Sequence, residues 1–210
     1  MQNLVVITSM FYTRWSVYSY QERLNQTVYT ISSARKHIPN AYIVLLEGGT
    51  AQEKDIEYFK NIVDEYITVN VTPFLKSVGE FRLLHTYFNM ESTKSKILEC
   101  NSVSKLSGRY YLNDKFNFEK YTDRICVKYR VDHNNLGGFE TRYYKMPSHY
   151  FDTFLEKLNS MLEDETFMTS YMDIENAFAK NNVFRVEDGT HGEVIGVSGN
   201  IAPDGCLVED

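Results

Sequence analysis

The chain holds only three cysteines, Cys100, Cys126 and Cys206, widely spaced and in no C-x-x-C or C-x-x-H pattern. An odd, scattered set excludes a disulfide framework and a structural zinc site, and it favours a reducing compartment. Basic clusters are absent as well, and the formal net charge is −6. A nucleic-acid partner needs a basic face that displaces counterions, so that class is set aside. Nothing approaches the apolar length of a membrane span. The opening Met1-Gln-Asn-Leu-Val-Val-Ile7 lacks the basic start and the long apolar run of a secretory leader. A cytoplasmic location is therefore expected, and the triplets Asn25-Gln-Thr27 and Asn70-Val-Thr72 are chance matches to the glycosylation pattern. No glycine-rich loop follows the first apolar run. Ser9-Met-Phe-Tyr-Thr-Arg-Trp15 contains no glycine, which counts against a sugar-1-phosphate nucleotidyltransferase and a nicotinamide dehydrogenase.

What is present reads as one α/β domain over residues 1–210, with a nucleotide-binding half to about 115 and a site-completing half from about 116. Leu4–Thr8 is a short β-branched run that fits a strand buried on both faces. Gln21–His37 follows as a helix, with Leu24, Val28 and Ile31 on one face. Tyr42–Leu46 is a second strand and Ala51–Val63 a second helix. Tyr66–Val69 is a third strand and Lys76–Asn89 a third helix. This alternation predicts right-handed crossovers and a parallel sheet. In the second half, Ser102–Leu112 reads as a strand entering a loop, and Ile125–Tyr129 and Thr141–Tyr144 as strands. Ser148–Leu162 reads as a strong amphipathic helix and Met168–Lys180 as another, with Val183–Val186 and Val194–Val197 as closing strands. The 16 tyrosines and 13 phenylalanines suit ring-binding sites, and equally an aromatic core.

In an open parallel sheet, ligands bind beyond the carboxyl ends of the strands. The turn after the first strand offers Thr8, Ser9, Tyr12 and Arg14 as a cradle for a base and a phosphate. Glu47, after the second, could accept hydrogen bonds from a base or ribose. After the third, Ser77 and Glu80 have the spacing of a capping box, S-x-x-E, which opens a helix. The same helix start, with Lys76, Ser77 and Gly79, also suits an anion. After the fourth come Ser107, Gly108 and Arg109. Gly108 permits close backbone approach, and Arg109 could supply charge. Asp114 is a further carboxylate or a turn residue. Asp173 and Glu175 are candidates for acid–base work or for a helix start, and His191 lies in a small-residue loop that could reach a ligand.

Taken in order, Val5-Val-Ile-Thr8-Ser9, Lys76-Ser77-Val-Gly79-Glu80, Lys105-Leu-Ser-Gly-Arg-Tyr110, Asp173-Ile-Glu175 and the stretch from His191 to Gly199 resemble the GT-A glycosyltransferase superfamily. They look most like the transferase domains of chlorella-virus enzymes that build capsid glycans. The resemblance implies a mixed, mainly parallel sheet flanked by helices. It implies a UDP-sugar donor of glucose or rhamnose type, a manganese or magnesium ion, a carbohydrate or glycoprotein acceptor, and further domains in a longer chain. On it, Thr8 and its neighbours hold uridine, Ser107–Arg109 lie at the diphosphate, and His191 is a metal ligand. Ser107-Gly108-Arg109 stands where such enzymes carry Asp-x-Asp. The other reading is a non-catalytic domain of the same fold that binds UDP-sugars or glycans.

Overall fold

A computed structural model describes residues 1–12, 16–71, 76–131, 137–169, 171–201 and 204–210. The first half follows the predicted alternation: β1 (Gln2–Ser9), α1 (Tyr20–His37), β2 (Ala41–Glu47), α2 (Glu53–Ile62), β3 (Glu65–Thr68) and α3 (Lys76–Phe88). After these come α4 (Glu91–Leu98), β4 (Cys100–Ser107), β5 (Tyr110–Leu112), β6 (Cys126–Val131) and β7 (Gly137–Pro147). The chain closes with α5 (Phe151–Ser160), α6 (Glu165–Met168), α7 (Ile174–Lys180), β8 (Val197–Asn200) and β9 (Leu207–Glu209).

Six strands form one sheet in the order β3-β2-β1-β4-β7-β6, and β5, β8 and β9 form a small second sheet. Pairing is parallel from β3 to β4 and antiparallel for β4–β7 and β7–β6. The β5–β8–β9 sheet is antiparallel throughout.

Both faces of the large sheet are covered, which explains the unbroken apolar runs of β1 and β2. Leu4, Val6, Val44 and Leu46 pack with Phe81, Leu84, Phe88 and Phe154 on one side. Val5, Ile7, Ile43 and Leu45 pack with Leu24, Ile31 and Phe59 on the other. Each such buried side chain contributes about 1.5–3 kcal/mol of transfer free energy. Helix α1 starts where Ser19 and Glu22 cap each other: the Ser19 amide donates to the Glu22 carboxylate at 2.7 Å, and the Glu22 amide donates to Ser19 Oγ at 3.3 Å. No helix among the described residues is long and apolar enough to cross a membrane.

Beyond α3 the chain departs from the periodicity reading. Helix α4 was not expected, because its segment is short and polar and buries only Thr93 and Ile97. The expected helix Met168–Lys180 is broken, with α6 ending at Met168 and α7 beginning at Ile174. Both pieces start at an aspartate that takes the capping role: Asp164 accepts from the Phe167 amide at 3.3 Å, and Asp173 from the Asn176 amide at 2.8 Å. The expected strand Val183–Val186 is instead the C-terminal closure of α7. Asn182 turns left-handed at φ 50°, its amide donates to Ala179 O at 3.1 Å, and the Val183 amide donates to Phe178 O at 2.9 Å. That pair of bonds is a Schellman motif, and it folds Val183 back onto the core. Of Val194–Val197, only Val197 enters a strand.

The turn into β8 depends on a glycine. Gly196 sits at φ 91°, and its carbonyl accepts from the Asn113 amide at 2.9 Å. A Cβ there would lie 2.3 Å from the Phe116 amide nitrogen. Gly196→Ala is therefore expected to cost roughly 2–4 kcal/mol, from left-handed strain plus overpacking. Urea unfolding measures it, and an unchanged midpoint would contradict this account of the turn.

Candidate functional site

After β1 the chain builds β2 and β3 on one side, and β4 then inserts on the other side of β1. The order reverses between β1 and β4, the place where open α/β sheets take ligands, and the two strands stay paired as far as Thr8 and Ser107. Thr8 and Ser9 end β1, and Ser107 ends β4. Gly108 crosses the gap. Its amide donates to Thr8 O at 2.8 Å, and its carbonyl accepts from Thr27 Oγ1 of α1 at 3.0 Å. A Cβ on Gly108 would come within 3.1 Å of both oxygens, so no larger residue fits without displacement.

Lys105, one turn of the pleat before Ser107, is fully buried. Its ammonium is ion-paired with Glu80 of α3, and it donates to Ser107 Oγ at 2.7 Å and to the Thr141 carbonyl of β7 at 2.5 Å. Glu80 also accepts from Ser107 Oγ at 3.3 Å and from Thr8 Oγ1 at 3.5 Å. Burial pushes the Lys105 pKa down, while Glu80 and Glu175 oppose that shift. Helix α3 and strands β1, β4 and β7 thus converge on one buried charge.

Above this network opens a cleft of about 440 Å³, lined by Ser77, Glu80 and Ser107 on one wall and by residues of β6, β7 and α7 on the other. Arg109, Arg130, Glu140, Arg142, Asp173 and Glu175 bring charge to it. Arg142 Nη2 pairs with Glu140. Arg142 Nη1, Arg109 Nε and Arg23 Nη1 are shielded from water and have no hydrogen-bond partner among the described residues. The Arg109 and Arg142 guanidinium carbons stand 5.0 and 5.6 Å from the centre of the Tyr110 ring. Arg23 is close enough to Arg109 that burial, with Arg109's charge, pushes its pKa down to about 10. Glu175 accepts from Thr141 Oγ1 at 3.1 Å. Burial, followed by the charge of Glu80, pushes its pKa above the usual carboxylate range.

Thr8, Ser107, Gly108, Arg109, Asp173 and Glu175 therefore meet at or beside this crevice, together with Ser77 from the first turn of α3. Lys76 opens α3. Gly79 leaves free space, since a Cβ there would meet nothing within 4 Å. Arg14 lies outside the described residues.

Other expectations are corrected. Within the described residues the helix runs from Lys76, with Ser77 in its first turn, and the Glu80 carboxylate pairs with Lys105. Glu47 is fully buried. Its carboxylate takes the Ser9 hydroxyl and the amides of Phe11 and Gly49, the latter two at 2.9 Å, so it ties two turns together from inside. Burial pushes its pKa up. Ser9 is committed to that tie, and Tyr12 is 73% exposed without lining the cleft. Asp173 caps α7, the helix-start alternative, and also lines the cleft. Asp114 pairs with Lys36 at 2.7 Å in a separate groove near the end of α1. His191 is exposed and does not line the cleft; its Nε2 is 2.9 Å from Val186 O and its ring packs on Tyr129. The late loop does not carry it over the crevice.

A manganese or magnesium ion requires several hard oxygen ligands in one place. Among the described residues, no group of three or more His, Cys, Asp or Glu side chains is placed to hold a metal. Ser107, Gly108 and Arg109 bring no carboxylate, and His191 is elsewhere. These residues do not fit such an ion.

Sequence reasoning missed the roles of Lys105, Arg130, Glu140, Thr141 and Arg142. One signal was available: a lysine between Val103, Ser104 and Leu106 in a strand buried on both faces has to be answered by an acid. No family model matches the chain, and no curated protein matches it.

Removing one partner of a buried ion pair strands the other, at a cost of roughly 3–5 kcal/mol. Lys105→Met should lose about that much in urea unfolding, and adding Glu80→Gln should recover part of it. A loss below about 1 kcal/mol would show that the ammonium does not organise the site.

Proposed function

We propose that this chain is a glycosyltransferase that moves a hexose or deoxyhexose from a UDP-sugar to a carbohydrate hydroxyl. The observation that carries the reading is the cleft beyond the carboxyl end of β4, beside the β1/β4 reversal, which is lined by arginines with unpaired donors and by a half-buried carboxylate. A donor of this kind has an anionic diphosphate leaving group and a reacting carbon next to it. Cationic donors suit the first, and a proton acceptor beside the second suits the acceptor hydroxyl. The strand order and the resemblance to GT-A transferases support the same reading. The resemblance alone extends it to glucose or rhamnose as the sugar and to a glycan acceptor such as that of a viral capsid protein.

In the proposed step, the acceptor oxygen attacks the anomeric carbon as the bond from that carbon to the diphosphate oxygen breaks. The electron pair of the broken bond stays on the diphosphate, next to Arg109. The acceptor proton passes to the Glu175 carboxylate. A single displacement of this kind inverts the anomeric configuration. Glu175 suits the base better than Asp173, because its raised pKa strengthens it as a proton acceptor and Thr141 fixes its orientation. Asp173 spends its carboxylate on the α7 amide. Beyond these groups, the fold contributes by positioning.

Glu175→Gln is expected to lower UDP release and glycoside formation by about 100-fold or more while leaving UDP binding intact. Asp173→Asn should stay within a few-fold of the parent, since asparagine caps a helix as well as aspartate. Near-normal turnover in Glu175→Gln would remove it as the base. UDP binding without turnover in the parent protein, across sugar donors, would favour the non-catalytic domain.

The raised pKa of Glu175 also fixes a sign. Its ionisation disfavours the folded state, so its share of stability is whole below the ordinary glutamate value and is lost as pH rises through the folded value. Glu175→Gln should therefore raise the melting temperature at pH 8, and the gain should shrink toward pH 4. A gain that grew on acidification would contradict the burial of this carboxylate.

A further inference from the structure

We infer that the donor diphosphate is held by guanidinium groups, with Arg109, Arg130 and Arg142 supplying the charge that a divalent ion would otherwise provide. The inference rests on the nucleotide-sugar reading above, and three independent features of the cleft support it.

The first is the set of unsatisfied donors. Buried polar groups are nearly always paired, so an orphaned guanidinium N–H invites an explanation. Arg109 Nε and Arg142 Nη1 both lack a partner among the described residues, and both guanidinium groups pack near the one buried ring of Tyr110. Arg142 already gives Nη2 to Glu140, which fixes its plane and leaves Nη1 to spare. A diphosphate carries several oxygens that can accept from such fork-shaped donors.

The second is the local charge. The chain is acidic overall, yet the acids of the cleft are engaged. Glu80 is paired with Lys105, Glu140 with Arg142, and Asp173 with a helix amide. Glu175 accepts from the Thr141 hydroxyl at 3.1 Å. Arg109 and Arg130 have no ion pair among the described residues and so dominate the field felt by an entering anion.

The third is the fate of the oxygen-rich spot itself. Glu80, Ser107 Oγ and the Thr141 carbonyl converge on the Lys105 ammonium. A fixed monovalent cation already occupies the place where oxygens gather, and with three arginines nearby it would repel a divalent ion.

The test is isothermal titration calorimetry of the full chain with UDP and with inorganic pyrophosphate, in EDTA and in manganese. UDP affinity in EDTA within about threefold of that in manganese supports the inference. So does a loss of tenfold or more in Arg109→Ala and in Arg130→Ala at unchanged melting temperature. Arg130 is exposed, so its loss leaves the fold intact and keeps the test sound if Arg109→Ala unfolds. Binding of UDP only with manganese overturns the inference and leaves the transferase reading standing. Arginine variants that bind like the parent overturn it as well. Pyrophosphate binding in EDTA without UDP binding supports the arginine clamp and overturns the uridine-donor reading. No binding of either ligand in either condition overturns both.

Discussion

The Lys105 ammonium has no access to water, and everything at the crevice is arranged to answer it. An unpaired charge at that depth would cost several kcal/mol, so oxygen must be brought to it from whichever elements pass nearby. Helix α3 delivers Glu80, the end of β4 delivers Ser107, and β7 delivers the carbonyl of Thr141. Once those elements are pinned, the Thr141 hydroxyl is positioned to orient Glu175. Arg109 follows Ser107 by two residues, and Arg142 directly follows Thr141, so both arginines inherit their places from the same knot. A sheet edge that could have splayed is held closed at its base and left open above.

This arrangement would reconcile an acidic protein with the anionic ligand proposed for it. The net charge of −6 governs solubility and long-range repulsion, whereas recognition acts over a few ångströms. Within that range each acid of the cleft has its own partner, and the surplus of donors lies on the arginines. A carboxylate whose pKa burial raises, beside cations with unfilled donors, also separates the two tasks of a group transfer. One side can take a proton while the other steadies a departing anion.

Much of the frame could be read from residue patterns. The β-branched runs Leu4–Thr8 and Tyr42–Leu46 lie within β1 and β2, and the apolar stripes over Gln21–His37 and around Phe151–Leu158 mark α1 and α5. The failures share a cause, which is local side-chain chemistry overriding hydrophobic spacing. Asp173 caps a new helix inside the periodic segment Met168–Lys180, Asp164 caps another just ahead of it, and Asn182 reverses the chain where Val183 suggests a strand. At the site, Ser107-Gly108-Arg109 and Glu175 were legible because they follow a strand end or open a helix. Arg130, Glu140 and Arg142 were not, since only the antiparallel return of β6 and β7 beside β4 carries them there. His191 was misplaced by reasoning from loop order, while its actual surroundings are Tyr129 and Val186.

A structure of the protein with UDP bound tests the central claim most directly. The account predicts the diphosphate in the cleft beyond the carboxyl end of β4, with its oxygens within hydrogen-bond reach of Arg109 and Arg142 and with Glu175 lining the same cleft. UDP seated elsewhere, or a diphosphate that leaves those guanidinium groups without contact, would contradict it.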